Sequence, residues 1–141
     1  MIEIVNRQRK TRIDIKYWRD YAVRAAREIS EDDGKFFVVV FVSDKKMRAL
    51  NRDFRGKDST TDVLSFGYEP DEFGGDADNL GDIVISVEQA ARQAEENNLD
   101  FEAEIKQLIL HGILHLGGGD HEADDGEMNA RELELRESLG V

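Results

Sequence analysis

An unbroken apolar run from Phe36 to Val42 constrains the fold of this chain more than any other feature. Each of its seven residues is valine or phenylalanine, which favours a β-strand over a helix. No polar residue alternates with the apolar ones, so we expect the strand to lie inside a sheet and to be buried on both faces. The run is far too short to cross a membrane, and no longer apolar run occurs in the sequence.

Hydrophobic spacing and turn residues predict three further strands and about five helices, packed in a single α+β domain over residues 1–141. The further strands are expected at Ile2–Val5, Val63–Tyr68 and Asp82–Ile85. The helices are expected to run from Asp14 to Ile29, from Ser43 or Asp44 to Phe54, from Ser86 to Glu96, from Asp100 through His115, and onward from about Ala123. Residues 55–62 and 69–80 are expected to be loops.

The connections between strands predict a mixed sheet. A helix separates the first two strands, which allows them to pair in parallel. The third and fourth strands are joined by a loop alone, so we expect them to be antiparallel. The sequence therefore predicts a four-stranded sheet that contains one antiparallel strand.

Composition excludes several classes of protein. The chain has no cysteine, so neither disulfides nor thiolate metal ligands are available. The first twenty residues contain no apolar signal-peptide core, which predicts a cytoplasmic protein without a membrane partner. The net charge of −12 argues against nucleic-acid binding, but residues 1–57 carry +6 and residues 58–141 carry −18. This asymmetry is compatible either with a local interaction surface or with ordinary solvated helix faces.

All three histidines of the chain lie within eleven residues, at His111, His115 and His121. His111 and His115 are four positions apart, so on a helix they share one face. The glycines at 117–119 are typical of a helix end, after which the chain can fold back and bring His121 to the same point. Three imidazoles would leave the fourth position of a tetrahedral zinc ion open for water or substrate. The spacing therefore predicts a catalytic site with one Zn²⁺ per chain.

The same spacing matches the metzincin pattern His-Glu-x-x-His-x-x-Gly-x-x-His, with Gly118 at the glycine position. Gly112 replaces the glutamate that is the general base of zinc peptidases. We therefore expect a metzincin-like metal helix without the usual peptidase chemistry. Zinc can lower the pKa of bound water to about 7. The metal could therefore hydrolyse another bond, such as a phosphodiester, without that glutamate.

Arg55 is the best candidate for the positive charge that phosphodiester cleavage requires. A guanidinium group is permanently charged and can bind phosphate through two N–H groups. Arg48 and Arg52 are spaced to share a helix face with Arg55, and Lys57 follows in the polar loop. We therefore predict Arg55 as a catalytic residue.

Three blocks of the sequence resemble the family of the bacterial ribosomal RNA maturation factor YbeY. The blocks are Leu50–Phe66, Leu80–Ser86 and His111–His121, and they occur in the family's order. The glycine after the first histidine belongs to the family pattern, so the difference from the peptidases is expected. The resemblance covers nearly the whole chain. Gly118 and Gly119 depart from it, because relatives often have a glycine followed by an aromatic residue there.

The resemblance implies a zinc-dependent endoribonuclease that is specific for single-stranded RNA. It implies a role in maturing the 3′ end of the small-subunit (16S) ribosomal RNA and in ribosome quality control. The family's zinc ligands correspond to His111, His115 and His121, and its functionally important arginine corresponds to Arg55. We expect Arg52, Arg55 and Lys57 to bind RNA. The implied fold is α+β with a small, mostly parallel sheet, and the implied partners are ribosomal RNA, the small ribosomal subunit and the Era GTPase.

Two other functions stay open on the sequence alone. One is a non-catalytic ribosome assembly factor, in which metal orders the carboxy-terminal third and the basic loop binds RNA. The other is a metal-dependent hydrolase of a different substrate. The sequence offers no assignable general base, which keeps the non-catalytic alternative open.

Overall fold

A computed structural model describes residues 2–29, 36–67 and 79–116, together with Glu134, Arg136 and Glu137. The strands are β1 (Ile2–Asn6), β2 (Phe36–Val42), β3 (Val63–Gly67) and β4 (Asn79–Ser86). The helices are α1 (Ile15–Ile29), α2 (Asp44–Arg55), α3 (Val87–Glu96) and α4 (Phe101–Leu116). This element order confirms the predicted α+β class.

Four helices, rather than about five, lie in the described part of the chain. The fifth helix, predicted from about Ala123, falls outside it except at Glu134, Arg136 and Glu137, which are helical. No helix within these described residues is both long enough and apolar enough to span a membrane.

The four strands form one sheet in the order β1-β2-β4-β3. β2 pairs in parallel with both β1 and β4, whereas β3 pairs antiparallel with β4. The predicted mixed sheet with one antiparallel strand is therefore confirmed. β3 lies at an edge of the sheet, although it precedes β4 in the sequence.

The sheet separates two apolar cores. On one face, Phe37, Val39 and Phe41 of β2 pack with α1, α3 and α4. On the other face, Val42 packs with Met47 of α2. Pairing on both edges confirms that this apolar run forms an interior strand, but burial is complete only on the first face, because Val38 and Val40 on the second face are half-buried.

Side-chain caps begin all four helices at residues expected from the sequence, namely Asp14, Ser43, Ser86 and Asp100. Each side-chain oxygen accepts a hydrogen bond from the backbone N–H three residues further on. The backbone N–H of Ser86 itself donates to the Asp62 carbonyl at 2.9 Å. The start of α3 is thereby tied to the residue that precedes β3.

Gly81 explains why β4 begins at Asn79 instead of the predicted Asp82. The expected loop at residues 69–80 is therefore wrong at its last two positions, and its other residues lie outside the described ones. Gly81 has a φ of +131°, and a Cβ atom there would collide with the Phe66 carbonyl oxygen of β3. Glycine thus permits β3 and β4 to pair closely, so here it extends a strand.

Helix α4 approaches β4 closely at Gly112. A Cβ atom at this position would lie 2.7 Å from Cγ2 and 2.9 Å from Cδ1 of Ile83. Ile83 is fully buried in β4, so its side chain has little space into which to move. Ile105 and Ile109 of α4 are also fully buried. Glycine at position 112 therefore sets the distance between the helix and the sheet.

A polar cluster around Asp44 joins the amino ends of α2 and α3. The Asp44 carboxylate accepts hydrogen bonds from the hydroxyls of Ser86 at 2.6 Å and Thr60 at 3.2 Å. It also forms an ion pair with Arg92 at 2.6 Å. Burial raises the pKa of Asp44, but the hydrogen bonds and the positive charge of Arg92 outweigh this effect and hold the pKa below its ordinary value.

We expect Gly112→Ala to lower the free energy of unfolding by about 1–3 kcal/mol, because overpacking against Ile83 outweighs the better helix propensity of alanine. Urea denaturation followed by circular dichroism measures the change. Gly67→Ala is the control, because the nearest atoms to a Cβ there are 3.9 and 4.0 Å away. The double variant Gly112→Ala/Ile83→Ala should lose less stability than the sum of its single variants. A Gly112→Ala protein as stable as the wild type would contradict the close contact.

We expect Asp44→Asn to lower the free energy of unfolding at pH 7 by about 1–2 kcal/mol, because the ion pair with Arg92 is lost. A carboxyl whose pKa is lowered by folding adds stability above its unfolded-state pKa of about 3.9. That stability is lost as the pH falls through the lower pKa of the folded state. The difference between variant and wild type should therefore persist from pH 7 to about 5 and shrink below about 4.

Urea denaturation at several pH values measures this difference. Asp58→Asn is the matched control, since it removes the same charge from an exposed pair with Arg48. Exposed pairs add little to stability, so a loss as large as that of Asp44→Asn would show that charge removal alone causes the effect.

Candidate functional site

His111 and His115 lie one turn apart near the carboxyl end of α4. Their ring centroids are 4.1 Å apart, and the ring planes are inclined by 55°. The intervening residues 112–114 are buried, whereas both histidines are partly exposed. The helix therefore brings the two imidazoles together at its surface, as the spacing predicted.

This pair of imidazoles fits a zinc site. Histidine nitrogen is a common zinc ligand, and two rings on adjacent turns of one helix face can reach the same ion. The third predicted ligand, His121, lies outside the described residues. Among the residues that are described, no three His, Asp or Glu side chains form a metal-binding group. The completed three-histidine site is therefore still a prediction.

Gly112 also gives a structural reason for the missing peptidase glutamate. Position 112 lies against Ile83, where even a Cβ atom has no room. A glutamate at this position would have to enter the apolar core between α4 and β4. The resemblance of α4 to the metzincin metal helix therefore rests on the histidine spacing alone. The packing of Gly112 on Ile83 adds no support to it.

Arg52, Arg55 and Lys57 lie at the carboxyl end of α2, and all three are exposed. Arg52 pairs with the neighbouring Asp53 at 3.3 Å. Within the described part of the chain, the side chain of Arg55 makes no hydrogen bond or ion pair. Its guanidinium group is therefore available to an anionic ligand.

The loop that follows α2 is held by hydrogen bonds to that helix. Gly56 ends α2 in the left-handed conformation, with a φ of +70°, and its N–H donates to the Arg52 carbonyl at 3.0 Å. The buried Asn51 donates from its side-chain amide to the Ser59 carbonyl at 2.8 Å. These bonds fix the path of the chain from the arginines to Asp62, the residue before β3.

The arginine end of α2 and the histidine end of α4 lie on opposite faces of β3. On one face, the Phe54 ring of α2 packs against Phe66 of β3, with centroids 5.2 Å apart. On the other face, the Cβ position of Gly67 is 4.0 Å from Cδ2 of Leu116, the last residue of α4. Arg55 does not contact the histidines directly. Because β3 is an edge strand, an extended ligand that crosses this edge can reach both groups.

A cavity of about 570 Å³ lies beside His111, and its lining includes Asp62, Gln93 and Glu104. The Gln93 side-chain amide donates to Asp62 Oδ2 at 2.9 Å and to Glu104 Oε1 at 3.1 Å. Its oxygen accepts a hydrogen bond from Gln89 at 3.2 Å, which fixes the orientation of the amide. Gln93 therefore bridges two carboxylates next to a predicted metal ligand.

Phe54, Gln93 and Glu104 are not predicted as functional residues by the sequence. Phe54 reads as the last apolar position of a helix, yet it is 67 % exposed. Glu104 reads as an ordinary solvated helix charge, yet it is only 4 % exposed. The sequence does contain one indication that Glu104 lies near the site. Glu104 precedes His111 by two helical turns, so it lies on the same side of α4.

Comparison with known proteins agrees with the resemblance seen in the three sequence blocks. The family model described as Endoribonuclease YbeY matches residues 3–140. A Bacillus cereus protein named Endoribonuclease YbeY is 41% identical over 134 residues, which cover 87% of this chain and 85% of the relative. A Geobacter metallireducens protein of the same name is 39% identical over 137 residues, which cover 96% and 90% respectively.

A solved structure supports the same relationship at the level of the fold. The solution structure of TM1509 from Thermotoga maritima is similar with a TM-score of 0.67 and 29% identity, covering 99% of this chain and 89% of that one. The family match includes both the arginine end of α2 and the histidine helix α4. This chain therefore belongs to the endoribonuclease YbeY family.

Proposed function

We propose that this chain is a zinc-dependent endoribonuclease that cleaves single-stranded RNA. The observation that carries the proposal is the placement of paired histidines and an available arginine on the two faces of one edge strand. RNA as the substrate is supported by the relatives, which carry the name endoribonuclease.

His111, His115 and His121 would hold one Zn²⁺ per chain. Zinc, when bound, supplies a Lewis acid toward a phosphoryl oxygen and acidifies water. The chain itself contributes two imidazoles that α4 holds 4.1 Å apart. The buried residues between these two histidines, 112–114, hold them at this spacing.

Arg55 would reach over the edge of β3 from the face opposite the histidines, bind the reacting phosphate through two N–H groups and stabilise the negative charge that grows on it during cleavage. Arg52 and Lys57 would bind neighbouring phosphates and thereby position the strand. Phe54 lies among these cations with an exposed ring, on which an unpaired base can stack. Because a paired base is not free to stack in this way, the exposed ring supports a preference for single strands.

We further propose that the substrate is ribosomal RNA and that the chain matures the 3′ end of the small-subunit RNA. The small ribosomal subunit and the Era GTPase are the proposed partners. Membership of the YbeY family supports this role. A non-catalytic assembly factor would use the same basic surface for RNA binding, but it would not cut RNA.

We expect the zinc-loaded protein to cut a single-stranded fragment that spans the 3′ end of small-subunit ribosomal RNA. Arg55→Ala and His111→Ala should each lower the rate by about 100-fold or more, because each removes a group that acts on the reacting phosphate or holds the metal. End-labelled RNA resolved on denaturing gels measures the rate. Arg19→Ala is the matched control, because Arg19 is an exposed arginine beside β1 at the opposite edge of the sheet.

Equal activity in the wild type, both variants and a chelated sample would indicate a contaminating nuclease and would contradict the proposal. Binding of the same RNA without cleavage by the zinc-loaded wild type would favour the non-catalytic assembly factor.

We expect the reconstituted and desalted wild type to retain about one equivalent of zinc, because three ligands on a folded chain bind the ion tightly. His115→Ala and His121→Ala should each retain far less, whereas Gln107→Ala, on the helix that carries His115, should retain as much as the wild type. Plasma mass spectrometry measures the content. A wild type that holds less than roughly a tenth of an equivalent would rule out the zinc site.

A further inference from the structure

We infer that the cavity beside His111 binds one nucleobase of the RNA substrate and selects a base that carries an exocyclic amino group. The inference rests on the RNA-cleaving function proposed above and extends it. The histidines and Arg55 act on the phosphate, whereas this cavity would determine which base lies next to the site of cleavage.

Glu104, one of the residues that line the cavity, carries a hydrogen-bond acceptor that no described group satisfies. Only 4 % of Glu104 is exposed, and its Oε2 atom has no hydrogen-bond partner. Gln93 cannot supply one, because both hydrogens of its amide already point to Asp62 and Glu104 Oε1. An unsatisfied buried carboxylate oxygen is costly, so Oε2 is suited to accept a hydrogen bond from a bound ligand.

The charge of this lining favours a base over a phosphate. Among the described residues, Asp62 and Glu104 line the cavity with a single permanent cation, Arg136, so the two carboxylates leave the lining with a net negative charge that repels the anionic RNA backbone. A nucleobase is uncharged and carries hydrogen-bond donors. The volume of about 570 Å³ lies within the range typical of small-ligand sites.

The acceptors also discriminate among the bases. Cytosine, adenine and guanine each present an amino group that can donate to Glu104. Uracil has one ring N–H between two carbonyl oxygens, and those oxygens would face the carboxylates without a donor. We therefore expect the cavity to disfavour uracil.

The position of the cavity connects the base to the reaction. His111 lines it and is also the first predicted metal ligand. A base held against Glu104 would therefore have its attached phosphate near the histidine pair. Arg136 lines the cavity as well, which places a cation on the same side of the molecule as that phosphate.

A set of oligouridine RNAs tests the inference, each with uridine, cytidine, adenosine or guanosine at one central position. For the zinc-loaded wild type, kcat/KM for cleavage beside the central residue should be about tenfold or more higher for the amino-bearing bases than for uridine. Glu104→Gln should reduce this preference to about twofold or less. Glu102→Gln is the matched control, because it removes the same charge from an exposed position of α4 and should keep the preference.

Asn97→Trp is a second variant that leaves the buried cluster intact. Asn97 is exposed and lines the cavity, so an indole at this position should fill its mouth and abolish the preference even if Glu104→Gln does not fold. Equal cleavage beside all four bases by the wild type would overturn the inference. An unchanged preference in the folded variants would overturn it as well.

A binding measurement separates this inference from the proposed function. Titration of ¹⁵N-labelled protein with cytidine 5′-monophosphate should shift the side-chain amide signal of Gln93, whereas uridine 5′-monophosphate should shift it little. If no RNA is cut but this difference is observed, the nuclease proposal fails and the base site stands. If neither nucleotide shifts the Gln93 signal, the base site is wrong whatever the activity.

Discussion

The packing of Gly112 on Ile83 is the contact on which the geometry of the site depends. It brings α4 close to β4, an interior strand of the sheet. The apolar residues of α4 then enter the core, while His111 and His115 stay partly exposed on the same helix. A larger residue at position 112 would move the helix away from the sheet and its histidines away from β3. The absent peptidase glutamate is therefore a consequence of packing as much as of chemistry.

The edge strand β3 connects the two halves of the candidate site. Its end contacts Phe54 of α2 on one face and Leu116 of α4 on the other. The basic and acidic segments of the sequence meet next to β3. The basic segment ends at Lys57, and the acidic segment that follows contains Asp62 and Glu104. One side of β3 is thus suited to phosphates and exposed bases, and the other side holds the imidazoles and the carboxylate-lined cavity.

Features that depend on local sequence were predictable. The apolar run of β2, the four helix caps and the pairing of His111 with His115 follow from spacing along one element. Features that depend on distant contacts were not. The sheet order places β4 between β2 and β3. The collision that Gly81 avoids is with Phe66 of the neighbouring strand. The burial of Glu104 depends on α3 and on the start of β3. None of these contacts leaves a periodic signal in the sequence.

Zinc-edge X-ray absorption of the reconstituted protein shows whether the histidines bind the metal, because it reports the zinc ligands without requiring activity. We expect imidazole scattering from three histidines with nitrogen at about 2.0–2.1 Å, and a loss of one imidazole in His111→Ala. A coordination shell of oxygen alone, or one that His111→Ala leaves unchanged, would contradict this expectation.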